Sequence, residues 1–159
     1  MMQLAAALMD AGHDEEALEL IEEGMRLDPE GHVGGGLWTI KLQILLGSRQ
    51  FEALRDLFID AGWPPALVDQ IVEAFHAGSL SDLPTELRNE LESQPLFLMP
   101  LGQHDRAAEA LLEQARTDAL LALQVMWMPL FDPIRKHPAY LETLRVLSLE
   151  GVIPDRPVP

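Results

Sequence analysis

The chain has 159 residues, 48% of them hydrophobic and 23% charged, with a mean hydropathy of +0.05, which suits one domain or a short array of repeated units with a real core. Its 26 acidic and 11 basic side chains leave a net charge of −15, a field that repels phosphate backbones and anionic lipid, so nucleic acid and membrane are excluded as partners. There is no cysteine, which excludes disulfides, thiolate zinc sites and cysteine nucleophiles.

Residues 1–10 form an apolar run with no Lys or Arg ahead of it, and Asp10, Gly12 and Asp14 follow at once, which argues against a secretory signal. No capping residue precedes this run, so its helix is expected to start at or before Met1, as in a piece of a longer array. Apolar residues then recur at three- and four-residue spacing, as in Leu4 and Leu8 and in Ala17, Leu18, Ile21 and Met25. Gly12, Gly47, Gly62, Gly78 and Gly102 close periodic segments, and Pro64, Pro84 and Pro138 stand where the next ones open. The predicted helices are 1–11, 14–28, 36–46, 50–61, 64–77, 83–93, 95–101, 104–117, 119–128 and 138–149. Helices this short, joined by brief loops, bury their apolar faces by pairing antiparallel, so the expected fold is all-α, built of stacked helical hairpins. The four glycines within 30–36 predict a flexible inter-hairpin loop, and three prolines within 154–159 predict a disordered tail. The apolar stretch 119–131 is broken by Gln124 and Pro129 and falls short of the roughly 20 residues a membrane span needs, so a soluble, cytoplasmic protein is expected.

An internal repeat is visible at an offset of 90 positions. It aligns Leu8, Met9, Gly12, Ala17, Glu19, Glu23, Arg26 and Asp28 with Leu98, Met99, Gly102, Ala107, Glu109, Glu113, Arg116 and Asp118. A weaker copy runs from Gly47 through Phe51, Ala53, Leu54, Leu57 and Phe58, 35 positions after the first. Leu4-Ala5, Leu8, Gly12, Ala17, Ile21, Gly24 and Pro29 together resemble a tetratricopeptide repeat. Ala17 and Gly24 fit a close helix crossing, and Pro29 ends the second helix. The resemblance implies a right-handed superhelix, or α-solenoid, over a single domain of residues 1–159. Its hairpins would be about 1–29, 36–61, 64–93 and 95–118, with a closing segment at 119–151. The sequence departs from the pattern at Pro95, inside a first helix, and at Ala119, where a closing proline is missing. Trp127, Pro129, Phe131, Pro133, Arg135, Pro138 and Tyr140 are similar to the segment that closes such repeats in multidomain bacterial signalling proteins, including cyclases and transcriptional regulators. Read from the residues alone, they make a terminal cap.

Searching for chemistry gives little. His13-Asp14 and His104-Asp105 have the form of a phosphohydrolase ligand pair but sit in hairpin turns, where Asp14 and Asp105 are expected to cap the next helix. Gly34-Gly35-Gly36 has no preceding strand and no following Gly-Lys-Ser/Thr, so it reads as a loop and not a phosphate cradle. No serine lies in a Gly-x-Ser-x-Gly elbow. Trp38, Trp63 and Trp127, with Met9, Met99, Met126 and Met128, read as packing. Lys41, Gln43 and Gln124 are the unusual polar residues on apolar helices, as a small-molecule pocket or enzyme site would require, and are expected at the surface. No catalytic residue, cofactor or metal is expected.

What remains is binding. Residues 1–31 hold nine acids against Arg26, and Glu15, Glu19 and Glu22 lie opposite the apolar stripe of their helix, an acidic face for a basic protein or peptide. The family resemblance implies a concave groove lined by Met2, Ala6, Met9 and Asp10. Homodimerisation through the apolar end, residues 1–9, is a further expectation. The function expected is a non-catalytic interaction scaffold, with a regulatory or sensor domain of a larger bacterial signalling protein as the alternative.

Overall fold

The computed structural model describes residues 1–27 and 35–150; Pro29, most of the 30–36 loop and the proline tail lie outside them. Among the described residues every regular element is helical. Helices α1 to α5 are Met2–Asp10, Asp14–Leu27, Gly36–Gly47, Phe51–Asp60 and Pro65–Ala77; α6 to α10 are Thr85–Ser93, Pro95–Leu98, His104–Thr117, Ala119–Met126 and Pro138–Val146. A 3₁₀ helix at Pro129–Ile134, which the periodicity does not announce, precedes α10. The chain divides into two compact units, Met1–Asp82 and Leu83–Pro159, with the boundary inside the 64–93 stretch that reads as one hairpin in the sequence.

In the first unit α1 and α2 form a hairpin around a left-handed residue, Gly12 at φ +78°. The Gly12 N–H donates to Met9 O and the His13 N–H to Leu8 O, the Schellman arrangement that satisfies carbonyls at a helix end. Ala5, Met9, Ala17 and Ile21 fill the interface with Ile40 and Ile44 of α3. Gly24 is buried, and a Cβ there would come within 2.6 Å of Leu37 Cδ1 and 3.3 Å of Met1 Sδ. The close approach that the small residue permits is therefore made by α3 and the chain's first residue. Leu4, expected on the apolar stripe, is 56% exposed. Beyond α3 the chain turns at Arg49, whose φ is +56°, while Gly47 stays within the helix. Gly47 is thus the last residue of α3, as its place in the sequence suggests, and the left-handed turn comes two residues later, at Arg49. Helices α4 and α5 pack through Phe51 stacked on Phe75 at 5.5 Å, and Phe58 links Trp38 and Trp63.

In the second unit α8 is central and packs against α7, α9, the 3₁₀ helix and α10. Its buried stripe is Ala107, Ala108, Leu111, Gln114 and Ala115. The turn before it repeats the first unit's: Gly102 has φ +69°, its N–H donates to Met99 O, and the Gln103 N–H donates to Leu98 O. Pro95 makes the difference. It holds the first position of α7 and forces Gln94 into an extended conformation, φ −101° and ψ 110°, so that residues 92–93 end α6 instead of opening α7. The 129–146 segment closes the core from the far side of α8. Tyr140 is 1% exposed and its hydroxyl donates to Met126 O at 2.8 Å. Arg135 is buried against Asp132 at 2.7 Å and donates to Trp127 O.

Candidate functional site

The structure sorts the sequence-derived candidates by exposure. Glu15, Glu19 and Glu22 all lie on the exposed side of α2, opposite Ala17, Ile21 and Gly24. Glu22 is not free: Lys41 Nζ of α3 donates to its Oε1 at 3.2 Å. Of the four groove residues, Met2 and Asp10 are exposed, Ala6 is half-buried, and Met9 belongs to the core with Ala5 and Ile21.

The two His-Asp turns do not hold capping aspartates as expected. Helix α2 begins at Asp14 itself, with His13 Nδ1 3.0 Å from Glu16 Oε1, and burial pushes the Asp14 carboxyl above its ordinary value. Helix α8 begins at His104, and no side chain caps it. Asp105 instead lies 3.4 Å from His137 Nε2, while His137 Nδ1 accepts from the Ala139 N–H and caps α10. That acceptance places the neutral ring's proton on Nε2, facing the aspartate. Among the described residues no group of three or more metal-ligating side chains converges.

Gln43 also departs from expectation. It is 4% exposed, not a surface residue, and its Oε1 has no protein partner. Gln124 is exposed and the Lys41 side chain is 18% exposed, engaged with Glu22.

A built concavity lies in the second unit. Pro95 brings the end of α6 beside α8, and between them and the start of α9 runs an open cleft of about 540 Å³. Its α8 wall is a single stripe, Arg106, Glu109, Ala110, Glu113, Gln114 and Thr117, at three- and four-residue spacing. At one end Arg106 Nη2 meets Glu92 Oε2 at 2.8 Å, and Arg106 also donates to Gln103 Oε1 at 2.6 Å. That hydrogen bond to Arg106 holds the Glu92 carboxyl below its ordinary value. At the other end Asp118 Oδ1 accepts from the Leu121 N–H and caps α9. Between them Gln114, 8% exposed, donates to Gln94 Oε1 across a long 3.4 Å, and its own Oε1 is buried with no protein partner. A buried amide oxygen left unpaired costs about 1–3 kcal/mol.

Sequence reasoning missed this cleft. Two signals were present: Pro95 breaking the repeat, and Gln114 as the one polar residue on the otherwise Ala/Leu buried stripe of α8. Neither says that α6 comes to lie alongside, which is a contact between residues 20 apart.

Comparison of the chain with protein-family models, with curated proteins and with solved structures gave no match.

Proposed function

We propose that this chain is a non-catalytic interaction module, similar to tetratricopeptide-repeat proteins, that presents acidic helical surfaces to a basic protein or peptide. The observation that carries the reading is the pair of hairpins α1–α2 and α7–α8. They share a turn hydrogen-bond pattern, a left-handed glycine and fully buried alanines at positions 17 and 107, and each keeps its carboxylates on the solvent side of the second helix. Stacked hairpins expose broad faces suited to extended or helical ligands.

The reading is tested by titrating the protein with capped basic, neutral and acidic peptides of equal length at two salt concentrations. Saturable binding of the basic peptide alone, weakened by salt, is the expected result. Equal binding of all three, or of none, overturns it. Replacing Glu15, Glu19 and Glu22 by Gln reads out the contribution of the α2 face.

The second reading, a regulatory domain of a larger signalling protein, draws on the closing segment. There the Tyr140 hydroxyl and the Arg135 guanidinium both donate to main-chain carbonyls, of Met126 and Trp127, and seal the core. Its test is whether fusion of this chain to a cyclase or DNA-binding domain changes that domain's output when Tyr140→Phe releases the seal.

A further inference from the structure

We propose that His137 is a proton switch on the closing segment: its neutral ring caps α10 and holds that helix on the core, and protonation of the ring withdraws the cap. The inference does not depend on what the chain binds.

The cap stands where the helix needs one. Pro138 opens α10 and brings no N–H, so Ala139 carries the first donor that the helix itself cannot satisfy. His137 Nδ1 accepts that N–H at 3.1 Å, and His137 O accepts the Leu141 N–H one turn on. A lone pair on Nδ1 is therefore part of the fold, and only the neutral ring has one to offer. The other side-chain cap among the described residues of the second unit, Asp118 on α9, is a carboxylate, an acceptor whenever it is ionised.

Protonating His137 turns Nδ1 from an acceptor into a donor aimed at another N–H, and sets a positive charge at the positive end of the helix dipole. The charged groups around the ring decide what the proton gains in return. From α8 comes Asp105, 3.4 Å from Nε2, with a side chain that is 91% exposed. A carboxylate so open to water is a weak partner for a cation. Arg106, next to it on α8, is turned to Glu92 and Gln103, and His104 is exposed. On the near side Arg135 is buried against Asp132, Lys136 is exposed, and Glu142 of α10 is paired with Arg145. None of these groups replaces the acceptor that Ala139 loses. The protonated ring keeps Asp105 and gives up α10.

The consequence reaches the core, because the first turn of α10 carries Tyr140. That side chain is 1% exposed, belongs to one apolar cluster with Phe131 and Leu144, and donates to Met126 O. Loosening this turn loosens the segment that closes the second unit.

The test is an NMR titration of the full chain between about pH 8 and 5.5, where imidazoles change charge. It follows the His137 ring nitrogens together with the exchange protection of the Ala139 and Leu141 amides, corrected for the intrinsic rate at each pH. Protection in this turn is expected to fall about tenfold as Nδ1 takes up its proton. His137→Asn supplies a capping oxygen that does not titrate, and is expected to hold the high protection throughout; His137→Ala, with no cap at any pH, is expected to show the low protection throughout. Asp105→Asn removes the carboxylate that attracts the proton, and is expected to move the step to lower pH. Protection that stays constant while the ring titrates would overturn the proposal, as would the same step in His137→Asn or full protection in His137→Ala. Protection already lost at pH 8 in Asp105→Asn would overturn it too, because the ion pair and not the cap would then hold the segment.

Discussion

In the first unit residue 24 is a glycine lying under Leu37 and Met1; in the second its counterpart is Gln114, held by Gln94 and walling an open cleft. Around this position the two hairpins agree closely. Helices α2 and α8 are both 14 residues long, Ala17 and Ala107 are both fully buried, and Ile21 and Leu111 occupy the same core site. Even a surface pair repeats: Arg26 lies 3.9 Å from Glu23, and Arg116 lies 3.6 Å from Glu113. The difference begins one helix earlier. Helix α1 has nine residues, whereas Pro95 limits α7 to four, and the residues released become the end of α6 and the far wall of the cleft. One proline and one glycine-to-glutamine difference thus turn a sealed helix junction into a polar recess. Core positions set the hairpin, and the residue at the junction sets whether that junction is filled or open.

The comparison can be broken most forcefully at its shared core. Ile21→Ala and Leu111→Ala, each at a fully buried site, are expected to cost about 3–4 kcal/mol in urea unfolding, by similar amounts because the packing is alike. A loss under 1 kcal/mol at either site would show that the two hairpins are not equivalently packed. Next in size is a transplant. Gly24→Gln forces a long amide against Leu37 and Met1 and is expected to cost about 2 kcal/mol, while Gln114→Leu relieves an unpaired amide and is expected to stabilise by about 1 kcal/mol. If both changes destabilise equally, the cleft is part of the second unit's packing.

The units also differ in the sign of one titration each. Glu92 has a depressed folded-state pKa, caused chiefly by the hydrogen bond from Arg106, so its contribution is present above the ordinary glutamate range and is lost as pH falls through the folded value. Asp14 has a raised pKa caused by burial, so the folded state holds the proton more tightly and stability falls as pH rises through the ordinary aspartate range. Urea midpoints between about pH 3 and 6 should therefore lose part of their upward slope in Glu92→Gln and gain slope in Asp14→Asn. Slopes unchanged in both variants would contradict the geometry.

The smallest expected effect concerns a helix end. Ser148 sits at φ +58°, where a residue with a Cβ is strained, and Ser148→Gly is expected to stabilise by about 0.5–1 kcal/mol in thermal unfolding.

The helices were legible because their signals are local. Three- and four-residue periodicity and the αL glycines place all ten α-helix starts within two residues, and the offset of 90 identifies the hairpin that recurs. The acidic face of α2 was legible for the same reason, since Glu15, Glu19 and Glu22 are fixed opposite Ala17 and Ile21 by helical geometry alone. Arg49 was missed because a polar residue carries no sequence mark of a left-handed backbone, and Gln43 because a lone amide in an apolar helix looks the same whether buried or exposed.

By itself, then, the sequence determined the all-helical class, where the α-helices start and the charge of the exposed faces. These depend on the spacing of residues along one chain segment, where neighbours in space are three or four residues apart. Only the tertiary structure decided where the chain divides, which side chains of α1 reach the core, and that Gln94 and Arg106 meet Gln114 and Glu92 across a cleft. Those pairings join residues 14 and 20 positions apart. They follow from how Pro95 redirects the backbone, and no periodicity within a single helix records that direction.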